Sequence, residues 1–586
     1  MNKNGNLFYK KLDIFWLKKA NIISWIKKPL TALTNSHKYN HWFKNGLLNV
    51  YDNCITRNIN SKLNNKVALI TIDNKKKIKK FTYEDIDLLV NKFISYLFMN
   101  NKSFLKGKPK MMIHSSASIE SAISMLAGAK LGIHFSVIFE ELEDKAIESR
   151  INLFKPDIFI TKLTKDEFIK KYKIIYRKNK KNIIFFENFF KRSSTNSFTF
   201  KSKILNSNSN FFTLFTSGST GVPKGITHSY GGYLVYSKLT CIEKFGMKKN
   251  SVVLAGSDAG WINGHTYALF GPLSIGSTTI LLQSPLLILD KKILNKIIRL
   301  KVDILYLPVT IIRMMKSLFQ NSSFKKNNFK TLGSMGEPLA PSVGNWYANF
   351  FGKNKKAIVN TYFQTETGGI ICSPRFKDLE KKVPHGSVGK TLTKYIKIND
   401  LDAKNPKEIK IISPWPGCMK NVLNGKKEWN KYWDSDGNFK LFDLATKFKD
   451  NIYIHGRTDD VINIRGHRIG SEEIESTVLK INKIAECCAV SVDDEFEGSK
   501  INLFIVSSTK ATKIIEREIF SNFGSFALPK KIIYVKELPK TRSGKILRRL
   551  LRSLLLNPDA KSYGDLTTML NPKIISNIKN AIKEYA

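Results

Sequence analysis

The sequence predicts an α/β fold. It comprises a large, multi-subdomain N-terminal domain of mostly parallel sheets with helices, followed by a small α+β C-terminal domain. Three observations predict it. The chain has 586 residues, well past the length at which a single hydrophobic core keeps growing. Over the first two thirds, short apolar runs alternate with helical patterns, as strands joined through crossover helices require. Near Asn451 the texture changes to a polar, charged stretch of short strand-like runs.

The apolar runs include SAISMLAGAKLGIHFSVIF from Ser121, SVVLAGSD from Ser251 and VDILYLPV from Val302. No internal repeat is present. The Lys/Asn-rich patches 178–182 and 322–330 read as solvated loops. In the C-terminal part, NIYIHGRTDDVINIRGHRIGSEEIE leads into a helix. Ser471 is its expected N-cap, and Glu472 and Glu473 in the first turn suit the helix dipole. Ile474, Val478 and Ile481 fall on one face. ECCAVSV, KINLFIV and KKIIYV then read as three strands. The expected division is 1–458 and 459–586.

Composition excludes several classes. Hydrophobic residues make up 42% and aromatics 11%, too many for a disordered or fibrous chain. The longest apolar stretches, such as Thr278 to Leu289, fall short of the ~18 residues of a membrane span. The formal net charge is +48, which invites a nucleic-acid reading. However, 81 of the 96 basic residues are Lys and only 15 are Arg, and Arg is the residue of bidentate phosphate and base contacts. The Lys is spread along the chain among abundant Asn and Ile, as codons of an A+T-rich genome would leave it. No nucleic-acid partner is expected. The 6 cysteines show no CxxC spacing, which argues against zinc and disulfide scaffolds and fits a reducing, cytoplasmic setting. The basic N-terminus lacks the apolar core and small-residue cleavage site of a signal peptide.

The clearest chemical signal is FTSGSTGVPKGITH, from Phe215 to His228. Thr216, Ser217, Gly218, Ser219, Thr220 and Gly221 are small or hydroxylated, and Lys224 follows. Glycines let the backbone approach an anion, and amides and hydroxyls wrap phosphate oxygens. The spacing is not that of a Walker loop. A flexible Gly/Ser turn is the alternative reading.

SGSTGxPKG resembles the phosphate loop of the adenylate-forming superfamily. Further segments are similar to acetyl-CoA synthetase-like enzymes: HWFKNGLLNVYDNC near Trp42, DAGWINGHTYALFGPL from Asp258, GSMGEPL from Gly333, NTYFQTETGG from Asn360, HGRTDDVINIRGHRIGSEEIES from His455 and LPKTRSGKILRR from Leu538. The resemblance spans nearly the whole chain and leaves little room for a cleaved transit peptide. It implies ATP-dependent activation of a short-chain carboxylate, acetate first, to acyl-AMP. Thioester formation with CoA follows, releasing AMP and pyrophosphate. The implied cofactors are ATP, Mg²⁺ and CoA. Thr216 to Thr220 would hold phosphates, Thr365 would contact one, and Glu366 would help hold Mg²⁺. Lys545 matches the adenylation lysine, offsetting charge where two anions meet. Gly336, Glu337 and Pro338 match the adenine-side turn, and Tyr362 offers a stacking ring. Asp443 matches the ribose-binding acid, although Phe442 stands where a Gly usually precedes it. Arg457 and Arg468 match nucleotide contacts. Asp459 matches the hinge of a small domain that swings between half-reactions.

Ile262, Asn263, Met335 and Phe363 match the acyl pocket. Phe363 stands for the Trp lid of acetate enzymes, and Met335 and Asn263 replace what are commonly Val and Thr. Acetate and propionate both fit. On the CoA side, Gly466 is retained and Arg465 lies beside the thiol path. Three departures stand out: Glu140 and Glu141 replace Gly-Gly, Glu167 stands for an Arg near Lys170, and Phe520 stands for another Arg. Carboxylates there are expected to repel CoA phosphates. The resemblance also implies a lysine acetyltransferase and deacetylase acting on Lys545. Transfer to a carrier-protein thiol is the alternative acceptor chemistry. A degenerate, non-catalytic binder is disfavoured by the retained Lys545, Glu366 and Asp443.

Overall fold

The structure is a computed structural model. It describes residues 3–585 apart from 34–40, 101–106, 181, 192–197, 217–222, 320–321, 354–357, 381–382, 459–460, 465–466, 495–497, 542–543, 561–562, 564–565 and 567–568. Two 7-stranded sheets dominate residues up to 458. The first runs in the order Asn421–Val422, Lys224–Ser229, Asn210–Thr216, His134–Ile138, Lys110–His114, Ile158–Thr161, Ile183–Phe185. Its last five strands are mutually parallel. The second runs Val359–Asn360, Thr331–Met335, Ile304–Pro308, Val252–Ala255, Thr278–Leu282, Val67–Ile72, Ile78–Thr82. It is parallel except for the final pair. The strands are nearly continuous apolar runs because both faces are covered by helices. Ile304–Pro308, for example, is buried at every position. A 3-stranded antiparallel sheet of Lys407–Ile411, Phe439–Phe448 and Asn451–Arg457 follows.

Beyond it, Ile484–Asp494, Gly498–Ser507 and Lys531–Tyr534 form the expected three-stranded sheet. The apolar clusters packed on it draw their buried members only from 462–582, and those on the large sheets draw theirs only from 12–452. Two sequence readings need correction. Ser471 is the first residue of its helix, not the cap; Gly470 holds the cap position without a side chain to offer. The patch at 178–182 is not all loop, since Lys178 and Asn179 close the helix Lys173–Asn179. The helix formed because Ile175 has a buried place to pack, a tertiary gain that local composition does not show.

Polar side chains stitch the first sheet internally. His134 pairs through Nε2 with Thr213 Oγ1 at 2.8 Å, and Thr213 meets Thr227 at 2.7 Å on the next strand. His114 Nδ1 pairs with Thr161 Oγ1 at 3.0 Å. Burial lowers the imidazole pKa at each such site, to about 4 at His114 and His228 and about 3 at His134 and His265. These rings are neutral in the folded chain, whereas in the unfolded chain they take protons below about 6.5. Their contribution is therefore complete above pH 6.5 and is lost as pH falls toward about 4. Unfolding free energies from urea titrations between pH 7 and 4.5 should fall steadily, by several kcal/mol in total on the order-of-magnitude scale of linked protonation. A flat profile down to pH 5 would contradict neutral burial.

Candidate active site

The expected site residues gather at the C-terminal ends of parallel strands, where open α/β sheets place ligands. Thr216 ends one strand of the first sheet. Met335 ends a strand of the second. Thr310 follows Ile304–Pro308, and Tyr362 to Glu366 follow Val359–Asn360. Ser217, Gly218, Ser219, Thr220 and Gly221 lie outside the described residues, as do Asp459, Arg465 and Gly466. Arg468 sits in the strand His467–Gly470, paired through its backbone with Asn463.

Asp443 is the centre of one cluster. Its Oδ2 accepts from Tyr362 Oη at 2.6 Å and from Gln364 Nε2 at 2.7 Å, and Oδ1 lies 3.5 Å from Arg457 Nη1. Burial pushes this carboxyl above its ordinary range; Arg457, the two donors and the Lys545 ammonium act against that rise. The neighbouring Phe442 adopts φ 57°, left-handed backbone that a Cβ disfavours. This accounts for the glycine that the resemblance puts there. The ring compensates: it packs near Tyr432 and carries the Arg457 guanidinium 5.7 Å from its centroid.

Glu366 is the centre of a second cluster. Its Oε1 accepts from Tyr432 Oη at 2.8 Å, and its backbone carbonyl accepts from Met419. Lys224 Nζ lies 3.3 Å from Glu428 and 5.4 Å from the Tyr432 ring centroid. His228 Nε2 donates to the Thr365 carbonyl at 2.8 Å and so fixes the turn that carries Glu366. Gly336 has φ 90°, and a Cβ added there would meet nothing within 4 Å. Its turn is both glycine-specific and open on the ligand side. Glu337 beside it is held by Arg313 and by Thr310 Oγ1 at 3.2 Å. Pro338 completes the turn.

The Lys545 loop reaches this region from the C-terminal part. Thr310 Oγ1 donates to the Gly544 carbonyl at 2.7 Å, and a Cβ on Gly544 would stand 2.5 Å from Thr310 Cβ. Only glycine permits that approach. The loop is a tight hairpin: Thr541 N donates to the Lys545 carbonyl at 2.8 Å, and Lys545 N to Thr541 Oγ1 at 3.1 Å. Partly buried ion pairs clamp its flanks. Lys540 pairs with Glu486. Arg548 binds Glu475 at 2.5 Å and Glu472 at 3.1 Å. Lys545 itself is exposed.

Phe363 is half-buried, its ring 5.8 Å from that of Tyr267. Ile262 and Met335 are buried in the same apolar cluster, and Asn263 is buried alongside Ile262. On the expected CoA side, Glu140 and Glu167 each have partners of their own. Glu140 is engaged: its Oε2 accepts from Ser116 Oγ at 2.7 Å and Ser116 N at 3.2 Å, with Lys162 at 3.7 Å. Lys162 and the Ser116 donors bring its carboxyl below the usual range, against the desolvation that is the largest influence on it. Glu167 accepts from Thr164 N and Oγ1 as a capping box for the helix Lys165–Lys171, whose last turn holds Lys170. Phe520 is exposed on the helix Thr512–Phe523.

With this geometry the comparisons agree. Residues 56–411 match the AMP-binding enzyme family, 473–545 the AMP-binding enzyme C-terminal domain, and 8–54 the acetyl-coenzyme A synthetase N-terminus. The acetyl-coenzyme A synthetase of Aeromonas salmonicida is 31% identical over 620 residues, covering 98% of this chain and 95% of that one. That of Psychromonas ingrahamii is 30% identical, covering 96% and 93%. An acetoacetyl-CoA synthetase from Streptomyces lividans superposes with a TM-score of 0.80 at 16% identity, covering 98% of this chain and 93% of that chain. The anthranilate CoA ligase AuaEII, in complex with anthranoyl-AMP, gives 0.75 at 20% identity, covering 86% and 97%. The chain belongs to the AMP-binding enzyme family, as an acetyl-coenzyme A synthetase-like, AMP-forming ligase.

The sequence did not single out Thr310, Gln364, Tyr432, Glu428 or Arg548. Gln364 stands inside the QTETG segment and could have been found there. The left-handed Phe442 gives a direct test. Phe442→Ala keeps the strain and loses the ring, whereas Phe442→Gly loses both. The Gly variant should be the more stable by about 1 kcal/mol in urea unfolding; an equal or more stable Ala variant would contradict the strain.

Proposed function

We propose that the chain activates acetate, with propionate also within reach, by attack of the carboxylate on the α-phosphate of ATP, and then passes the acyl group to the CoA thiol. The observation that carries this reading is the docking of Gly544 on Thr310, which delivers the Lys545 loop to the Asp443 cluster. The proposed roles combine the resemblance with the contacts described above. Asp443, oriented by Tyr362 and Gln364, takes the ribose hydroxyls. The Gly336–Pro338 turn and Tyr362 flank the adenine. Arg457 and Arg468 contact the nucleotide, and Thr216, Lys224 and Thr365 serve the phosphates together with residues 217–221. The Lys545 ammonium meets the attacking carboxylate and the α-phosphate, offsetting the charge of two joined anions.

Glu366 is a single carboxylate already steadied by Tyr432. Among the described residues no group of three His, Cys, Asp or Glu could hold a metal ion. That suits Mg²⁺, which takes one or two protein carboxylates and otherwise phosphate oxygens and water. Bound there, it would neutralise phosphate charge. Ile262, Asn263, Met335 and Phe363 bound the acyl group. Residues 459–586 act as the mobile small domain with Asp459 at its hinge, and Arg465 and Gly466 line the thiol path in the second half-reaction. Exposed Lys545 is where a lysine acetyltransferase and deacetylase would switch the enzyme.

Lys545→Ala should abolish acid-dependent pyrophosphate exchange while thioester formation from supplied acyl-AMP and CoA continues. Equal loss in both half-reactions would overturn the assignment.

A further inference from the structure

One residue of the proposed acyl pocket carries a buried amide. Asn263 is 4% exposed, and neither Nδ2 nor Oδ1 has a hydrogen-bond partner among the described residues. A primary amide removed from water with both ends unpaired is costly, and folded proteins rarely retain one.

Its neighbours show which way it faces. Asn263 lies in the short helix Ile262–His265, continued by the helical turn Thr266–Phe270. The next residue, Gly264, is pressed on its own loop, since a Cβ there would stand 2.1 Å from the Asp258 carbonyl oxygen. His265 packs on Phe212, ring centroids 4.5 Å apart, toward the first sheet. Tyr267, four residues after Asn263 and so on the same face, meets Phe363. The Asn263 face is therefore the one turned to Phe363, at the strand ends that carry Met335 and the 362–366 segment. The other residues assigned to this pocket, Ile262, Met335 and Phe363, are apolar and offer the amide nothing.

We propose that Asn263 is a polar subsite of the acyl pocket, selecting short carboxylates with a hydroxyl on C2 or C3 over the unsubstituted acid of the same length. The inference rests on the reading of the chain as a short-chain carboxylate ligase. A hydroxyl accepts from Nδ2 or donates to Oδ1, so it fits either orientation of the amide. A methyl fits neither, and a keto oxygen can only accept. Sites built to hydrogen-bond a substrate group discriminate against the analogue lacking it more strongly than apolar pockets discriminate by size.

The test is pyrophosphate exchange by the full chain with two matched pairs, glycolate against acetate and 3-hydroxypropionate against propionate. The parent, Asn263→Leu and Asn263→Thr are compared. In the parent, kcat/KM should favour the hydroxy acid of at least one pair by about tenfold or more. Asn263→Leu, of similar shape without polar atoms, should bring that ratio to one or below, whatever the change in the absolute rates. If the Leu variant is inactive with every acid, the ratio in Asn263→Thr decides: a fall supports the subsite and an unchanged ratio overturns it. Exchange with acetate and propionate but no hydroxy preference in the parent overturns the subsite and leaves the ligase reading intact. No exchange with any of the four acids overturns both.

Discussion

Much of the site depends on one contact between the two parts of the chain, the hydrogen bond from Thr310 to the Gly544 carbonyl. It joins the helix Val309–Leu318, which continues from a central strand of the second sheet, to the hairpin that presents Lys545. The same hydroxyl also lies 3.2 Å from Glu337, so one side chain ties the adenine-side turn and the lysine loop together. A single neutral hydrogen bond is worth only about 1 kcal/mol. That is weak enough to release, as the proposed swing of the small domain between half-reactions requires.

The hairpin itself is held far more firmly than its docking. Arg548 is gripped by two carboxylates of the helix Ser471–Val478, and Lys540 by Glu486 of the strand Ile484–Asp494. Removing one partner of such partly buried pairs strands the other without compensation. The lysine loop is thus fixed to the helix and sheet of its own part of the chain.

Much of the fold was legible in the sequence because periodicity and composition are local. The runs at Ser251 and Val302 are central strands, and ECCAVSV, KINLFIV and KKIIYV form one sheet. Lys545 was legible because its segment matches a family motif, and Gly544 beside it is the residue that the close approach of Thr310 demands. What escaped was pairwise and long-range. Thr310 is one threonine among many until Gly544 is set against it, 234 positions away. Glu140 read as a bare repulsive charge because its partners, Ser116 and Lys162, are set by the adjacent strands Lys110–His114, His134–Ile138 and Ile158–Thr161. Phe442 shows the opposite case. The missing glycine was visible in sequence, but only the structure shows how Arg457 and Tyr432 hold the ring that replaces it.

The central claim is that the Thr310–Gly544 contact belongs to adenylation alone. Thr310→Val keeps the shape and removes the hydroxyl. The direct measurement compares acid-dependent pyrophosphate exchange with thioester formation from supplied acyl-AMP and CoA. The account predicts that exchange falls by about fivefold, as expected for one lost hydrogen bond, while thioester formation is unchanged. Equal rates in variant and parent for exchange, or an equal fall in both half-reactions, would contradict it.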